Sequence, residues 1–379
     1  MSRVRDDVGS YDDIAAAAVR TTGLEDFGGT AHEEGLRILV EDLNSPEAGL
    51  TGVGNYFQRG QVKSALVGRL LTQLRFGEHP EHADVPVERP IFVVGLPRTG
   101  TTALHRLLNA DPAHQGLELW LTEFPQPRPP RESWEQDPVF TAMQAAFSEH
   151  HVENPEFMGI HYMDATSVEE CWRLLRQTGK SISYESLAHV PRYSAWLAEQ
   201  DWTDAYARHR ANLQLIGLND PEKRWVLKNP SHLAALDALM AVYPDALVVH
   251  THRDPVTSIA SACSLSAEAT AGHSTTFVGE TIGRTQLAML ARSWRSFEEA
   301  RTHHDPAQFV DVDYGAFVQD PVGTTRGIYD AFGLDWTRAA AAAVEQIDAE
   351  SRRGGRRPAH RYDLADYGLT EGDVRAAFG

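Results

Sequence analysis

Residues 90–109 read PIFVVGLPRTGTTALHRLLN, and this stretch decides the fold. Ile91-Phe92-Val93-Val94 is a short β-branched and aromatic run, the pattern of a strand buried on both faces of a parallel sheet. Gly95-Leu96-Pro97-Arg98-Thr99-Gly100 interrupts it with turn formers. Thr101 to Leu108 then continues as an amphipathic helix. Strand, glycine loop and helix start form an anion cradle. First-turn N–H groups lack intrahelical partners, and the helix dipole favours negative charge there.

The spacing nearly reproduces the phosphate loop G-x-x-x-x-G-K-[ST]. Gly95 and Gly100 hold the glycine positions and Thr102 the hydroxyl position, but Thr101 stands where the lysine belongs. Without that lysine a kinase or ATPase loses its point charge on the β/γ-phosphates. Arg98 instead supplies a planar fork inside the loop, suited to one tetrahedral oxyanion. The loop therefore suits a nucleotide ending in a single oxyanion group better than a triphosphate on Mg²⁺.

Gly95-Leu-Pro-Arg-Thr-Gly-Thr-Thr102 resembles the 5′-phosphosulfate loop of sulfotransferases that use 3′-phosphoadenosine 5′-phosphosulfate (PAPS). The resemblance implies that Arg98, Thr99, Gly100, Thr101 and Thr102 hold the 5′-phosphate and sulfuryl group. It implies PAPS as cosubstrate and a reaction that requires no metal.

The rest of the composition is compatible with such an enzyme. The 379 residues are 42% hydrophobic and 23% charged, an ordinary globular balance. A formal net charge of −18 argues against general binding to nucleic acid or anionic membrane. Lysine occurs only at Lys63, Lys180, Lys223 and Lys228, so cationic chemistry falls mainly to arginine. Cys171 and Cys263 show neither metal spacing nor a disulfide framework. The first residues, MSRVRDDVGSYDD, lack a signal-peptide core, and no run is long enough for a membrane span. A cytoplasmic protein is expected.

Along the chain, 1–85 is expected as a helical layer and 88–379 as a nucleotide-binding α/β core with a helical insertion at about 125–217. Together they make a single sulfotransferase domain. Asp12 and Asp13 read as caps of the first helix, and Val62, Leu66, Leu70 and Leu74 form an apolar stripe with Arg69 and Gln73 off it. Phe124 to Pro130, FPQPRPP, reads as a surface loop or a lid. Glu169 and Glu170 read as acidic residues at a helix N-terminus. Neither His150-His151, His161 nor His209 sits in a metal-ligand pattern. Arg224 to Lys228, Ala246 to His250 and Phe309 to Tyr314 read as further strands, each followed by polar residues and a helix. The fold class is therefore α/β: a P-loop-like parallel sheet flanked by helices.

Three more stretches extend the resemblance. Arg253, after a strand, and Ser261, on the next helix, match the pair that grips the 3′-phosphate in the family. Gly354-Gly355-Arg356-Arg357, with Arg352, Arg353, His360, Arg361 and Tyr362 around it, is similar to the family's closing basic region, so Gly355, Arg356 and Arg357 join the cofactor-binding set. Leu227-Lys228-Asn229-Pro230 looks like the K-x-P segment of tyrosylprotein-type and related bacterial members, where the lysine stabilises the leaving group. In that branch a glutamate beyond the loop helix takes the acceptor's proton. Glu118 falls in this region, with Glu123 as competitor and His105 or His114 as candidates on the cytosolic pattern. The catalytic set read from the sequence is Glu118, Lys228 and Arg98.

The implied reaction is sulfuryl transfer to a hydroxyl acceptor, leaving adenosine 3′,5′-bisphosphate. Trp120, Phe124, Trp134, Trp172 and Tyr184 suggest a small, lipid-like or aromatic acceptor, although aromatics also build cores. A Mg²⁺-dependent kinase or NTPase and a non-catalytic nucleotide-binding protein of this fold are the alternatives. Neither the acceptor nor the oligomeric state follows from the sequence.

Overall fold

A computed structural model of the chain describes residues 4–153, 164–353 and 363–379. Five parallel strands form one sheet in the order β2-β3-β1-β4-β5: β1 (Ile91–Gly95), β2 (His114–Gln115), β3 (Arg224–Lys228), β4 (Leu247–His252) and β5 (Phe309–Asp313). The expected strands are all present. β4 runs two residues past His250, and the two-residue β2, too short for a periodic signal, is an addition.

β1 lies at the centre, buried throughout, with Phe92 paired to Leu227 and Val248. Its alternating residues feed two cores. Phe92 and Val94 join the larger core with the N-terminal helices, whereas Ile91 and Val93 pack with Leu104, Leu107 and Leu108 of the loop helix Thr101–Asn109. From β1 the chain passes to β2 and β3 on one side and then crosses to β4 and β5 on the other. Such a divergence opens a crevice beyond the strands' carboxyl ends.

The N-terminal layer comprises helices Tyr11–Thr22, Glu33–Leu43 and Gly52–Glu78. The first is capped by Ser10 in a reciprocal capping box with Asp13, two residues before the first of the expected caps. On the long helix Val62, Leu66 and Leu70 are buried, while Leu74, near its end, is 40% exposed. Arg69 departs from expectation. It is buried, donating to the carbonyls of Phe27, Gly28 and Gln177 and so satisfying a turn and a helix end. No helix among the described residues is long and apolar enough to cross a membrane.

Candidate active site

The loop after β1 is shaped by backbone constraint. Gly95 has φ 153°, and a Cβ there would sit 2.3 Å from Thr251 Oγ1. Gly100, at φ 89°, starts the helix against Tyr314 and Phe317, leaving 3.1 Å to Tyr314 for any added carbon. Between them Arg98 takes a left-handed φ of 69°. For a non-glycine residue that costs ~1–2 kcal/mol, the kind of strain found at ligand clamps. Thr99 Oγ1 closes the turn, 2.7 Å from the Leu96 carbonyl and 2.5 Å from Thr251 Oγ1. Its hydroxyl is therefore engaged, leaving its amide for a ligand.

No side chain caps the helix at Gly100, so its first amides point into the crevice without a local acceptor. Arg98 is exposed at the rim, and Arg253 Nη1 donates to its carbonyl at 3.0 Å. The Arg253 guanidinium lies 4.2 Å from the Tyr314 ring centre. Ser261 is buried on the helix Pro255–Ala269 that follows. Gly355, Arg356 and Arg357 lie outside the described residues. Arg352 pairs with Asp348 on its own helix.

Opposite the loop, β3 delivers Lys228, only 4% exposed along its side chain. Its Nζ donates to Thr102 Oγ1 at 3.3 Å and forms an ion pair with Glu170. Asn229 Nδ2 holds the other Glu170 oxygen at 2.9 Å. Backbone pairing brings Glu170 there: Leu119 and Glu169 bond to the Ser167 and Leu117 carbonyls, and the Cys171 amide bonds to Lys228 O. Segment 165–171 thus runs from beside the Glu118 turn to the end of β3. Glu170, read from sequence as a helix-start residue, is the carboxylate at the crevice.

Glu118, the expected base, stands at the turn that bridges to Val168. Arg128 grips its carboxylate at 3.0–3.1 Å and also reaches Gln115, the Gly116 carbonyl and Asp220. The same contacts correct the reading of FPQPRPP as a surface loop or lid. Its arginine is buried and pins the segment to the sheet edge.

Glu123 is also engaged, bound by Ser64, Arg173 and Arg176. Burial alone would raise its pKa, but the two guanidiniums outweigh that and hold the carboxyl at about 2. His105 is on the buried face of the loop helix, 3.1 Å from the Val226 carbonyl, and burial, reinforced by Lys228, drives it down to about 3. His114 is buried against Leu108 and Tyr329, and burial lowers it too.

A cavity of about 580 Å³, within the range of small-molecule sites, lies among residues of 119–147 and Arg173. Leu119, Phe124, Val139, Met143 and Phe147 give it an apolar lining, and the ion-paired Glu123 and Arg173, the latter three residues after Glu170, stand on its wall. Of the aromatics named from the sequence only Phe124 lines it. Trp120, Trp134 and Tyr184 are core residues, and Trp172 lies under Arg173 and Arg176.

Comparison with known proteins agrees with this fold. The model of the Sulfotransferase family matches residues 90–338. Sulfotransferase STF1 from Mycobacterium tuberculosis H37Rv superposes with a TM-score of 0.92 at 53% identity, covering 99% of both chains. STF9 from Mycobacterium avium superposes with a TM-score of 0.89 at 29% identity, covering 99% of this chain and 96% of that one. A curated relative, omega-hydroxy-beta-dihydromenaquinone-9 sulfotransferase Stf3 of Mycobacterium bovis, is 25% identical over 270 residues, 66% of this chain. The match spans 64% of that relative's length.

Proposed function

The chain belongs to the sulfotransferase family, and from that premise we propose that it moves a sulfuryl group from PAPS to a hydroxyl acceptor. The observation that best supports this reading is the bridge made by Lys228, which joins Thr102 of the phosphate loop to the Glu170 carboxylate. A leaving-group cation and a proton acceptor thus stand side by side.

In this reading residues 1–379 act as one cytoplasmic sulfotransferase domain. The amides of 99–102, the hydroxyls of Thr101 and Thr102, and Arg98 hold the 5′-phosphosulfate. Arg253 and Ser261, with Gly355, Arg356 and Arg357, hold the 3′-phosphate. Glu170, rather than Glu118, takes the acceptor's proton as the hydroxyl oxygen bonds to sulfur. The bond from sulfur to the bridging oxygen breaks in line. Lys228, relieved of Glu170's charge as that carboxylate protonates, turns with Arg98 to the bridging oxygen of the departing adenosine 3′,5′-bisphosphate.

The acceptor is read as an apolar, lipid-like alcohol. Support comes from the apolar cavity whose wall includes Arg173, three residues after Glu170, and from the menaquinone-derived acceptor in the name of the Mycobacterium bovis relative. The kinase alternative is not favoured, since Thr101 occupies the position of the phosphate-loop lysine.

Calorimetric titration with adenosine 3′,5′-bisphosphate, set against ATP with Mg²⁺, tests the donor. The expected result is metal-independent bisphosphate binding that collapses in Arg253→Ala. Binding of ATP only with Mg²⁺, or of neither ligand, would refute the PAPS reading.

A further inference from the structure

His250 and His252 stand two residues apart on β4 and so project from the same face of the strand. The parallel register places Asp311 of β5 beside His250. Donor atoms of the three side chains all lie within 4.8 Å of one another. Asp311 Oδ1 is 2.6 Å from His252 Nε2 and 3.6 Å from His250 Nδ1. Glu298, on the helix Gly279–Arg301, brings Oε1 to 4.0 Å from the same His250 nitrogen.

His250 is fully buried, packed by Phe297 and Trp294, yet neither ring nitrogen has a hydrogen-bond partner among the described residues. A polar group left in that state costs ~1–3 kcal/mol. Its Nδ1 faces two carboxylates at distances too long for hydrogen bonds and suited to an intervening ion. We propose that His250, His252 and Asp311, with Glu298 as fourth donor, form a binding site for a divalent transition-metal ion of the zinc class.

Two imidazoles and two carboxylates match that ion's preferences. Tetrahedral bonds of ~2.0–2.2 Å set donors roughly 3.3 Å apart. The 3.6 Å separation closes by a fraction of an ångström to reach this value, and Glu298, 4.0 Å from His250 Nδ1 but outside the close trio, swings inward to complete the set. The 2.6 Å contact opens as the ion replaces the proton shared by His252 and Asp311. Arg301 donates to both Asp311 oxygens, at 2.8 and 2.6 Å, and serves as the outer partner that fixes the carboxylate's orientation. The ion would link β4, β5 and a core helix one residue before Arg253. That role is structural and independent of sulfuryl transfer.

The test is titration of the metal-free full chain with Zn²⁺ alone by calorimetry and with Co²⁺ alone by visible absorption. We expect one ion per chain, a tetrahedral cobalt band, and a Zn²⁺-dependent rise in melting temperature. His252→Ala, at a partly exposed position, is expected to weaken binding about 100-fold or more, and Glu298→Gln, at the rim, about 10-fold. A double His303→Ala, His304→Ala variant removes the surface histidines beside Asp237, and is expected to leave binding unchanged. Absence of saturable binding, or binding that His252→Ala leaves intact, would overturn the proposal.

Discussion

Two carboxylate clusters, about fifty residues apart in sequence, use the same chemistry to opposite ends. Glu123 is enclosed by two guanidiniums and a serine hydroxyl. Nothing in that arrangement leaves a lone pair for an incoming proton, and the depressed pKa records it. Glu170 has one ammonium and one amide, and 26% of its side chain is exposed beside the phosphate loop. A fully satisfied carboxylate braces a fold, whereas a partly satisfied one can take part in a reaction. The number of donors around each glutamate, more than its distance from the loop in sequence, separates the brace from the proposed base.

The sharpest way to break this contrast is to exchange the roles in activity. Glu170→Gln is expected to lower kcat about 10²–10⁴-fold while nucleotide affinity changes little. Glu118→Gln is expected to stay within about tenfold of wild type, because it removes charge from the Arg128 cluster and no proton acceptor from the crevice. Single-turnover rates would show it, and equal losses in both variants would dissolve the distinction. Lys228→Ala comes next, with a kcat loss of about 10²–10³-fold. A loss confined to acceptor KM would instead make Lys228 a binding residue.

The third test concerns stability. Glu123→Gln leaves Arg173 and Arg176 buried without their counter-charge and is expected to cost about 3–5 kcal/mol by urea unfolding at pH 7. The same group predicts a pH signature. Its folded pKa of about 2 lies below the 4.5 of a free glutamate side chain. Its contribution is therefore whole above pH 4.5 and disappears as pH falls toward 2. Between those limits the wild type should lose stability more steeply than the variant.

The smallest expected effect belongs to the buried histidines. His105 and His209 are held neutral by burial, down at about 3. The unfolded chain takes up their protons below about pH 6.5, so stability declines as pH falls from there, by up to ~1.4 kcal/mol per unit for each. His105→Gln should remove one proton's share of that slope, read from melting temperatures between pH 7 and 5.

How much of this could be read beforehand follows from how local each feature is. The β1 loop is encoded within a dozen residues, and its apolar run, glycines and arginine declare it without help from the rest of the chain. Lys228 was legible for the same reason, as a charge ending an apolar strand. Glu170 was not. It reaches Lys228 only because 165–171 pairs with 117–119 and then with the end of β3, a tertiary event with no periodic trace. Glu118 falls in the region beyond the loop helix where the resemblance implies the base, and its contact with Arg128, hidden in a proline-rich stretch that reads as exposed, leaves no trace in the sequence. The His250–His252 pair did leave a signal, two histidines at strand spacing. It gains meaning only when β5 sets Asp311 alongside.

The central position of β1 has a consequence for how the chain is made. Ile91 pairs with Val226 and Leu247, both well over a hundred residues later. At ~5–20 residues per second of synthesis, the strand waits about 10–30 s for its second neighbour to be polymerised. Throughout that interval its apolar run has no sheet to enter, and the phosphate loop has no wall to close against. Parallel pairing across such separations is intrinsically slow even in the finished chain. The most legible stretch of the sequence is thus among the last to acquire its structure, and the nascent chain depends on its N-terminal helices, or on a chaperone, to keep Ile91 to Val94 from pairing elsewhere.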